Sequence, residues 1–502
     1  MNSSTPKMMS MLLLLVILLG KNGLATSDYS YRNCEGIVKS WADKSLLELE
    51  GRTEQENLEL KDLLFFLHVP RTGGRNYFNC FLRNLVPRDQ ECPRSYDKLR
   101  FDPSEPGCKL VVTHDDYSLM SMLPSEKTSV VTIMRNPVDR VLSTYEFSIE
   151  VASRFLIHPN LSSSIRTKRR NFTKMIGVST LDIWPWKYLV PWMRKDLFAR
   201  RDARHPGRMV MQGDVDSYDF PAMVMPLHEY IHQPIAYDII HNGGTFQVAG
   251  LTNNSHLEEA QEIRQCVVEY PFLGKHVLKV AKRRLDQMFY VGLTENHKDS
   301  ATIFANMLGT EMLSHLHFSN FSIWSSHAAS NKTGLTKETS QAQISVEGQK
   351  LNINPAIDYA KEQKGNFTVA SLLDTYEKCA HSTRSSQGQR RISSLKALAP
   401  ANFTKEERTR IPESTIKEIE RLNSLDVELF KHAQNIFSQQ RKALNEHKTF
   451  VLHESSSQED NFNSRISSCQ SLSSFWPFVL IAPIFAVVVF IAARGRSSKI
   501  KL

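Results

Sequence analysis

Residues 63–76 read Leu63-Leu64-Phe65-Phe66-Leu67-His68-Val69-Pro70-Arg71-Thr72-Gly73-Gly74-Arg75-Asn76. The first seven form an apolar run broken only by His68, as in a strand covered on both faces. The remainder is a short loop with two glycines and two arginines, and Tyr77 to Leu85 behind it carries apolar residues at helical spacing. Strand, glycine loop and helix, in that order, gather backbone N–H groups and a helix N-terminus around an anion. The Lys-Ser/Thr pair that closes a magnesium-nucleotide phosphate loop is missing, which disfavours nucleotide hydrolysis of that kind.

Moving outward, a second buried run, Lys109 to Thr113, stops at His114-Asp115-Asp116. A third, Val130 to Met134, stops at Arg135-Asn136-Pro137, and Val138 to Ile149 is again helical in spacing. Tyr290-Val291-Gly292-Leu293-Thr294-Glu295 reads as a further strand end, with amphipathic helices over 257–268 and 277–289 before it and another over 299–308 after it. This alternation predicts an α/β fold, a central parallel sheet flanked by helices. Ligands of such sheets bind beyond the carboxyl ends of the strands. Arg135 at a strand end and Ser143 on the following helix suit a second phosphate, through charge and hydroxyl donation.

These residues carry a family resemblance. Phe66 to Gly74 resembles the 5′-phosphosulfate loop of membrane-bound Golgi sulfotransferases, whose donor is 3′-phosphoadenosine 5′-phosphosulfate (PAPS), and Thr132 to Ser143 is similar to their 3′-phosphate motif. The heparan sulfate 6-O-sulfotransferase family also has counterparts of Gly292-Leu293-Thr294-Glu295 and of Leu422 to Phe430. The resemblance implies a P-loop-like sulfotransferase fold and PAPS as cosubstrate. It also implies donor contacts from Arg71, Thr72, Gly73, Gly74, Arg75, Asn76, Arg135 and Ser143, and His114 as general base. Arg71 stands where the family has a lysine; an arginine keeps the charge but is a poor proton donor, so an electrostatic role for Arg71 follows. Arg75 and Asn76 replace small hydroxyl residues. Asp115, Asp116 and Glu146 are secondary candidates for the base or for orienting His114. No metal is implied.

The ends of the chain set the expected compartment. Lys7, the apolar run 8–20 and the small residues Gly23-Leu24-Ala25 read as a cleaved signal peptide over 1–25. Residues 475–493 carry no charge and are followed by Arg494, Arg496, Lys499 and Lys501, which reads as one membrane span with a cytosolic tail. Sequons at Asn160, Asn171, Asn253, Asn320, Asn331, Asn366 and Asn402 agree with a lumenal bulk. A cleaved signal with a C-terminal anchor, combined with these motifs, resembles the plant tyrosylprotein sulfotransferases. Those act on tyrosines beside acidic residues in secreted peptide precursors. The expectation is therefore a type I Golgi membrane enzyme acting on acidic tyrosine-containing peptides and proteins. A glycan sulfotransferase of the 6-O type shares the motifs, and a type I anion-binding receptor is the non-enzymatic alternative.

Between these ends the organisation is expected to be a lumenal lead-in over 26–60, a PAPS-dependent domain over 61–318 and a polar excursion over 319–400. A helical C-terminal part of the catalytic region follows over 401–445, and then a stalk over 446–474. The net charge of +9 first raises nucleic acid, but Lys7 and Lys21 belong to the signal and four basic residues to the tail, leaving +3. Nucleic acid is therefore not expected as a partner. Two basic groups, Arg166, Lys168, Arg169, Arg170 and Arg194, Lys195, Arg200, Arg201, Arg204, Arg208, are candidates for holding acidic acceptor residues. Seven cysteines leave at least one outside an intramolecular bridge, and Cys80, Cys92 and Cys108 lie close enough in sequence for a local one.

Overall fold

The computed structural model describes residues 30–50, 59–86, 90–92, 108–157, 181, 183–203, 216–309, 368–395 and 403–446. The chain divides into two units, Met1–Ser438 and Gln439–Leu502. Within the second, the described residues 439–446 are helical.

Four strands, β1 (Leu63–Leu67), β2 (Leu110–Thr113), β3 (Thr128–Met134) and β4 (Tyr290–Leu293), form one parallel sheet in the order β2-β1-β3-β4. Every residue in them is buried, which is why they read as apolar runs and not as alternation. The chain steps from β1 to β2 on one side and crosses to β3 on the other, so a crevice opens at the carboxyl ends of β1 and β3. Register decides what meets there. Leu67 is paired with Thr113 on one side and Thr132 on the other. His68 and His114 therefore leave the sheet side by side.

The helices are α1 (30–50), α2, α3 (Pro137–Ile157), α4 (Trp186–Asp202), α5 (Gly243–Val248), α6 (Ala260–Glu269), α7 (Gly274–Asp286), α8 (His297–Phe304), α9 (Val369–Leu395), α10 (Glu413–Leu422) and α11, from 424 onward. α2 opens at Gly74–Tyr77, widens to a π-helical stretch over Phe78–Leu82 and ends at Arg83–Leu85. α3 starts directly at the end of β3. Asn136 Oδ1 accepts the N–H groups of Val138 (3.0 Å) and Asp139 (3.4 Å), and Pro137 occupies the first helical position. On one flank α3 buries Val141, Tyr145 and Ile149 in a cluster with Leu189, Met193 and Leu197 of α4. On the other, Tyr77 and Phe81 of α2 meet Phe304 and Tyr376; the Phe81 and Tyr376 rings stack at 4.0 Å.

The structure departs from the expected organisation at three places. Within the polar excursion over 319–400, residues 369–395 are the helix α9, whose Leu372, Tyr376 and Ala380 are buried and whose Cys379 is bonded to Cys80 of α2. One narrow buried strip in a Ser-, Gln- and Arg-rich segment leaves almost no amphipathic pattern to read. The lead-in contains α1, which buries Val38, Trp41 and Leu49 and is tied to α6 by Cys34–Cys266. The last helical stretch breaks at Asn423, whose side chain donates to Ile419 O (2.9 Å) and accepts from Asn242 N–H (3.0 Å).

A third disulfide, Cys92–Cys108, is the local one. Cys469, the signal 1–25, the stalk beyond 446, the span 475–493, the tail 494–502 and the basic group at 166–170 lie outside the described residues. Among the described residues no helix is long and apolar enough to cross a membrane.

Candidate active site

The loop after β1 is shaped by two left-handed residues, Arg71 (φ 68°) and Gly73 (φ 82°), on either side of Thr72. Its carbonyls are held from the neighbouring strand ends. Arg135 Nη1 donates to Arg71 O (3.0 Å), and Thr294 Oγ1, just past β4, donates to Thr72 O (2.6 Å). In a trans peptide the N–H opposes the C=O, so the N–H groups of Thr72 and Gly73 face away from those anchors. Left-handed residues alternating in this way build the concave backbone nests that take anions. Thr72 Oγ1 donates to Val69 O (2.8 Å) and Asn76 N–H to Gly73 O (3.0 Å), closing the loop onto α2. Gly74 has no room for a side chain: a Cβ there would lie 2.6 Å from His68 Nε2 and 2.9 Å from Phe66 Cζ.

His114 leaves β2 beside this loop. Its Nδ1 is 2.8 Å from His68 O. A carbonyl only accepts, so Nδ1 carries the proton and the ring's lone pair lies on Nε2. The His68 and His114 rings stack at 4.2 Å between centroids. Gln247 Nε2 donates to His114 O (2.9 Å) and Asp115 O (3.2 Å), pinning this backbone to α5. Burial lowers His114 to about 4; the Arg71 charge acts in the same direction and the bond to the His68 carbonyl opposes it.

Arg71 reaches across to α3, where Nε donates to Ser143 Oγ (3.0 Å) and the guanidinium covers the Phe147 ring at 4.3 Å. Burial, then the neighbouring Arg135 charge, pulls Arg71 down to about 10, so it remains a cation at neutral pH. The loop, Arg135 and Ser143 thus converge at the carboxyl ends of β1 and β3, and His114 joins them from β2.

The secondary candidates are committed elsewhere. Asp116 accepts from Thr252 N–H (2.8 Å), Thr252 Oγ1 (2.7 Å) and Ser118 N–H (3.0 Å), and also from the Ser118 hydroxyl. Asp115 accepts from Asn254 Nδ2. Glu146, fully buried, is held by Arg408 (2.8 and 2.9 Å) and the Tyr218 hydroxyl (2.8 Å). In the second basic group, Arg200 pairs with Asp196 (2.9 Å), Arg201 pairs with Asp202 (2.8 Å), and Arg194 lies over Phe155 and Phe198. Among the described residues no group of three His, Cys, Asp or Glu side chains converges as metal ligands would.

No protein-family profile matches the chain. It is 48% identical over 484 residues to the protein-tyrosine sulfotransferase of Arabidopsis thaliana, covering 95% of both chains. The chain belongs to the protein-tyrosine sulfotransferase family.

Two residues of this sulfotransferase's site were not legible in its sequence. His68 sits inside an apolar run and reads as core. Gln247 acts from α5, far away along the chain, on the carbonyls of His114 and Asp115. Thr294 lies in the segment 292–295 that reads as a strand end, and the sheet order brings it to the loop.

Proposed function

We propose that the chain transfers sulfate from PAPS to tyrosines beside acidic residues in secreted peptides and proteins. The observation that carries this reading is its 48% identity, over 95% of both chains, to a protein-tyrosine sulfotransferase.

The residues present suit the donor. The loop pairs two left-handed residues, Arg71 and Gly73, whose intervening N–H groups face away from the carbonyls that anchor it, and it is flanked by the cationic Arg71 and Arg135. Thr72, Gly73, Gly74, Arg75 and Asn76 would hold the 5′-phosphosulfate, and Arg135 with Ser143 the 3′-phosphate. When bound, PAPS supplies the sulfuryl group for in-line transfer to the phenol oxygen. His114 takes the phenol proton at Nε2, its Nδ1–H being tied to the His68 carbonyl. Arg71 stabilises negative charge on the departing phosphate as a fixed cation, without giving up a proton. Burial keeps His114 unprotonated in a mildly acidic lumen.

A lumenal, C-terminally anchored Golgi enzyme is part of the same proposal. Three disulfides suit an oxidising compartment, and Asn253, the one sequon asparagine among the described residues, is exposed. Glycosidase sensitivity together with protease protection of sealed Golgi vesicles tests that arrangement.

The activity test is incubation of the purified chain with radiolabelled PAPS and, in parallel, an Asp-Tyr peptide or desulfated heparan. Label in the peptide is expected. Label in the glycan alone would favour the 6-O reading, and label in neither would favour an anion-binding receptor.

A further inference from the structure

We propose that His68 is a positioning residue for His114. Its carbonyl and ring together hold the His114 imidazole in the tautomer and plane from which it accepts a proton, and its ring also locks that arrangement to the donor loop at Gly74. The proposal rests on the reading of His114 as base, but it assigns a role to a different residue.

Sheet register creates the pair. Leu67 lies opposite Thr113, and His68 N–H donates to Thr113 O (3.0 Å), so the next residue on each strand emerges at the same level. His68 then contacts His114 twice, through its carbonyl on Nδ1 at 2.8 Å and through its ring at a 4.2 Å centroid separation and a 28° tilt. The His68 ring is itself immobilised. The Phe66 ring lies nearly parallel to it at 5.5 Å (6°), and the missing Gly74 side chain leaves the space its imidazole edge fills. Both histidines are buried, each 6% exposed. Any shift of the loop at Gly74 must therefore be passed through the His68 ring to His114.

The charges around the pair favour a division of labour. Arg71, Arg75 and His114 itself face His68, and all three add to burial in disfavouring a proton on it. Around His114 the groups that act on its proton are the His68 carbonyl and Arg71, while the Asp115 carboxylate is taken by Asn254. When His114 takes a proton, its neighbour thus remains a neutral aromatic face, which accommodates a cation laid against it. His68 Nδ1 is buried with no hydrogen-bond partner among the described residues. A nitrogen left in that state is a cost that core packing alone does not explain.

The test uses the full chain in detergent, with PAPS and an Asp-Tyr peptide, for the parent, His68→Ala, His68→Phe and His114→Ala. Donor affinity is read separately with 3′-phosphoadenosine 5′-phosphate, which also reports folding. His68→Ala is expected to lower kcat by about 10- to 100-fold through misplacement of the base. Both KM values and the nucleotide Kd should stay within about threefold of the parent. Water entering beside His114 should move the acid limb of kcat/KM up by about one pH unit. His68→Phe keeps a flat ring and should recover most of the lost rate with the limb in its original place.

A His68→Ala enzyme with parental kcat, one slowed with its acid limb unmoved, or a His68→Phe enzyme no faster than His68→Ala would overturn the proposal. Turnover by His114→Ala would instead remove the base reading, and this inference with it. An inactive His114→Ala beside an unaffected His68→Ala would refute the positioning role alone.

Discussion

Asp426, from the late helix α11, is a buried carboxylate with four hydrogen bonds near the site, and removing it should cost more than any exposed ion pair. Its oxygens accept from Arg140 Nη2 (2.7 Å), Gly244 N–H (3.1 Å), Thr245 N–H (2.6 Å) and Thr245 Oγ1 (2.7 Å). The Arg140 and Asp426 side chains are 3% and 4% exposed. Asp426→Ala leaves the Arg140 guanidinium buried with the Ile239 carbonyl (2.7 Å) as its one remaining hydrogen-bond partner among the described residues. Breaking one side of a buried pair costs about 3–5 kcal/mol. Water entering the vacated space can serve the two amide donors of α5, so their loss should not add in full. About 4 kcal/mol is therefore expected, a large part of the roughly 5–15 kcal/mol that holds a domain folded. Urea unfolding of the parent, Asp426→Ala, Arg140→Met and the Asp426→Leu/Arg140→Met double variant measures it. The double variant removes both charges and should regain at least about 2 kcal/mol over Asp426→Ala. Arg140 lies on α3 between Arg135 and Ser143, so donor affinity should fall with stability in Asp426→Ala and return in the double variant. A loss below about 1 kcal/mol in Asp426→Ala, or a double variant no more stable than it, would refute the reasoning.

Three further outcomes are expected. A base is active when unprotonated, and His114 sits at about 4, so kcat/KM should hold from neutral pH down to about pH 5 and fall below that; a limb near 6.5, the ordinary histidine value, would contradict it. The same shift makes the unfolded chain protonate first, so this contribution to stability is complete above about pH 6.5 and is lost as pH falls toward 4. Gly74→Ala gains about 1 kcal/mol of helix propensity, but it drives a methyl into the His68 ring at a cost of about 1–3 kcal/mol. It should melt no higher than the parent and turn over more slowly; a higher melting point with full activity would show that the ring moves freely. Cys80–Cys379 closes a separation of 299 residues and Cys92–Cys108 one of 16, so losing the first should cost more, about 6 against about 3 kcal/mol on chain entropy. Calorimetry of the paired serine variants ranks the two, and the reverse order would reject the entropic argument.

Legibility followed how locally each feature is encoded. The strands and the donor loop were readable because a doubly covered strand must be apolar throughout, and Gly73-Gly74 marks a tight approach. Arg71 was readable as a charge but not as a left-handed residue, since an arginine has no preference for φ 68° and adopts it only because Arg135 and Ser143 hold it at both ends. His114 could be found from its place after a strand. His68 could not, because what distinguishes it from core is the β1–β2 register, a property of two segments more than 40 residues apart. α9 was hidden for a related reason: it is attached by one disulfide, the ion pairs of Arg391 and a few buried side chains, and so small a buried strip in a polar helix leaves little amphipathic pattern.

The face of α3 explains why the late segments belong to the site at all. Ser143, Glu146, Phe147 and Glu150 follow helical spacing and share that face. Arg71 from the donor loop takes Ser143 and Phe147. One turn further on, Glu146 and Glu150 are taken by Arg391 of α9 at 3.4 Å, and Glu146 also by Arg408, which pairs in addition with Asp139 (2.8 Å). A fully buried carboxylate such as Glu146 is tolerable only with its cations in place. Without Arg391 and Arg408, Glu146 would leave uncompensated negative charge beside Arg71 and compete with an incoming anion for that guanidinium, whereas Glu150 would keep Arg154. Arg391 and Arg408 therefore neutralise the helix face on which Arg71 rests, so that the Arg71 charge is not taken up by Glu146.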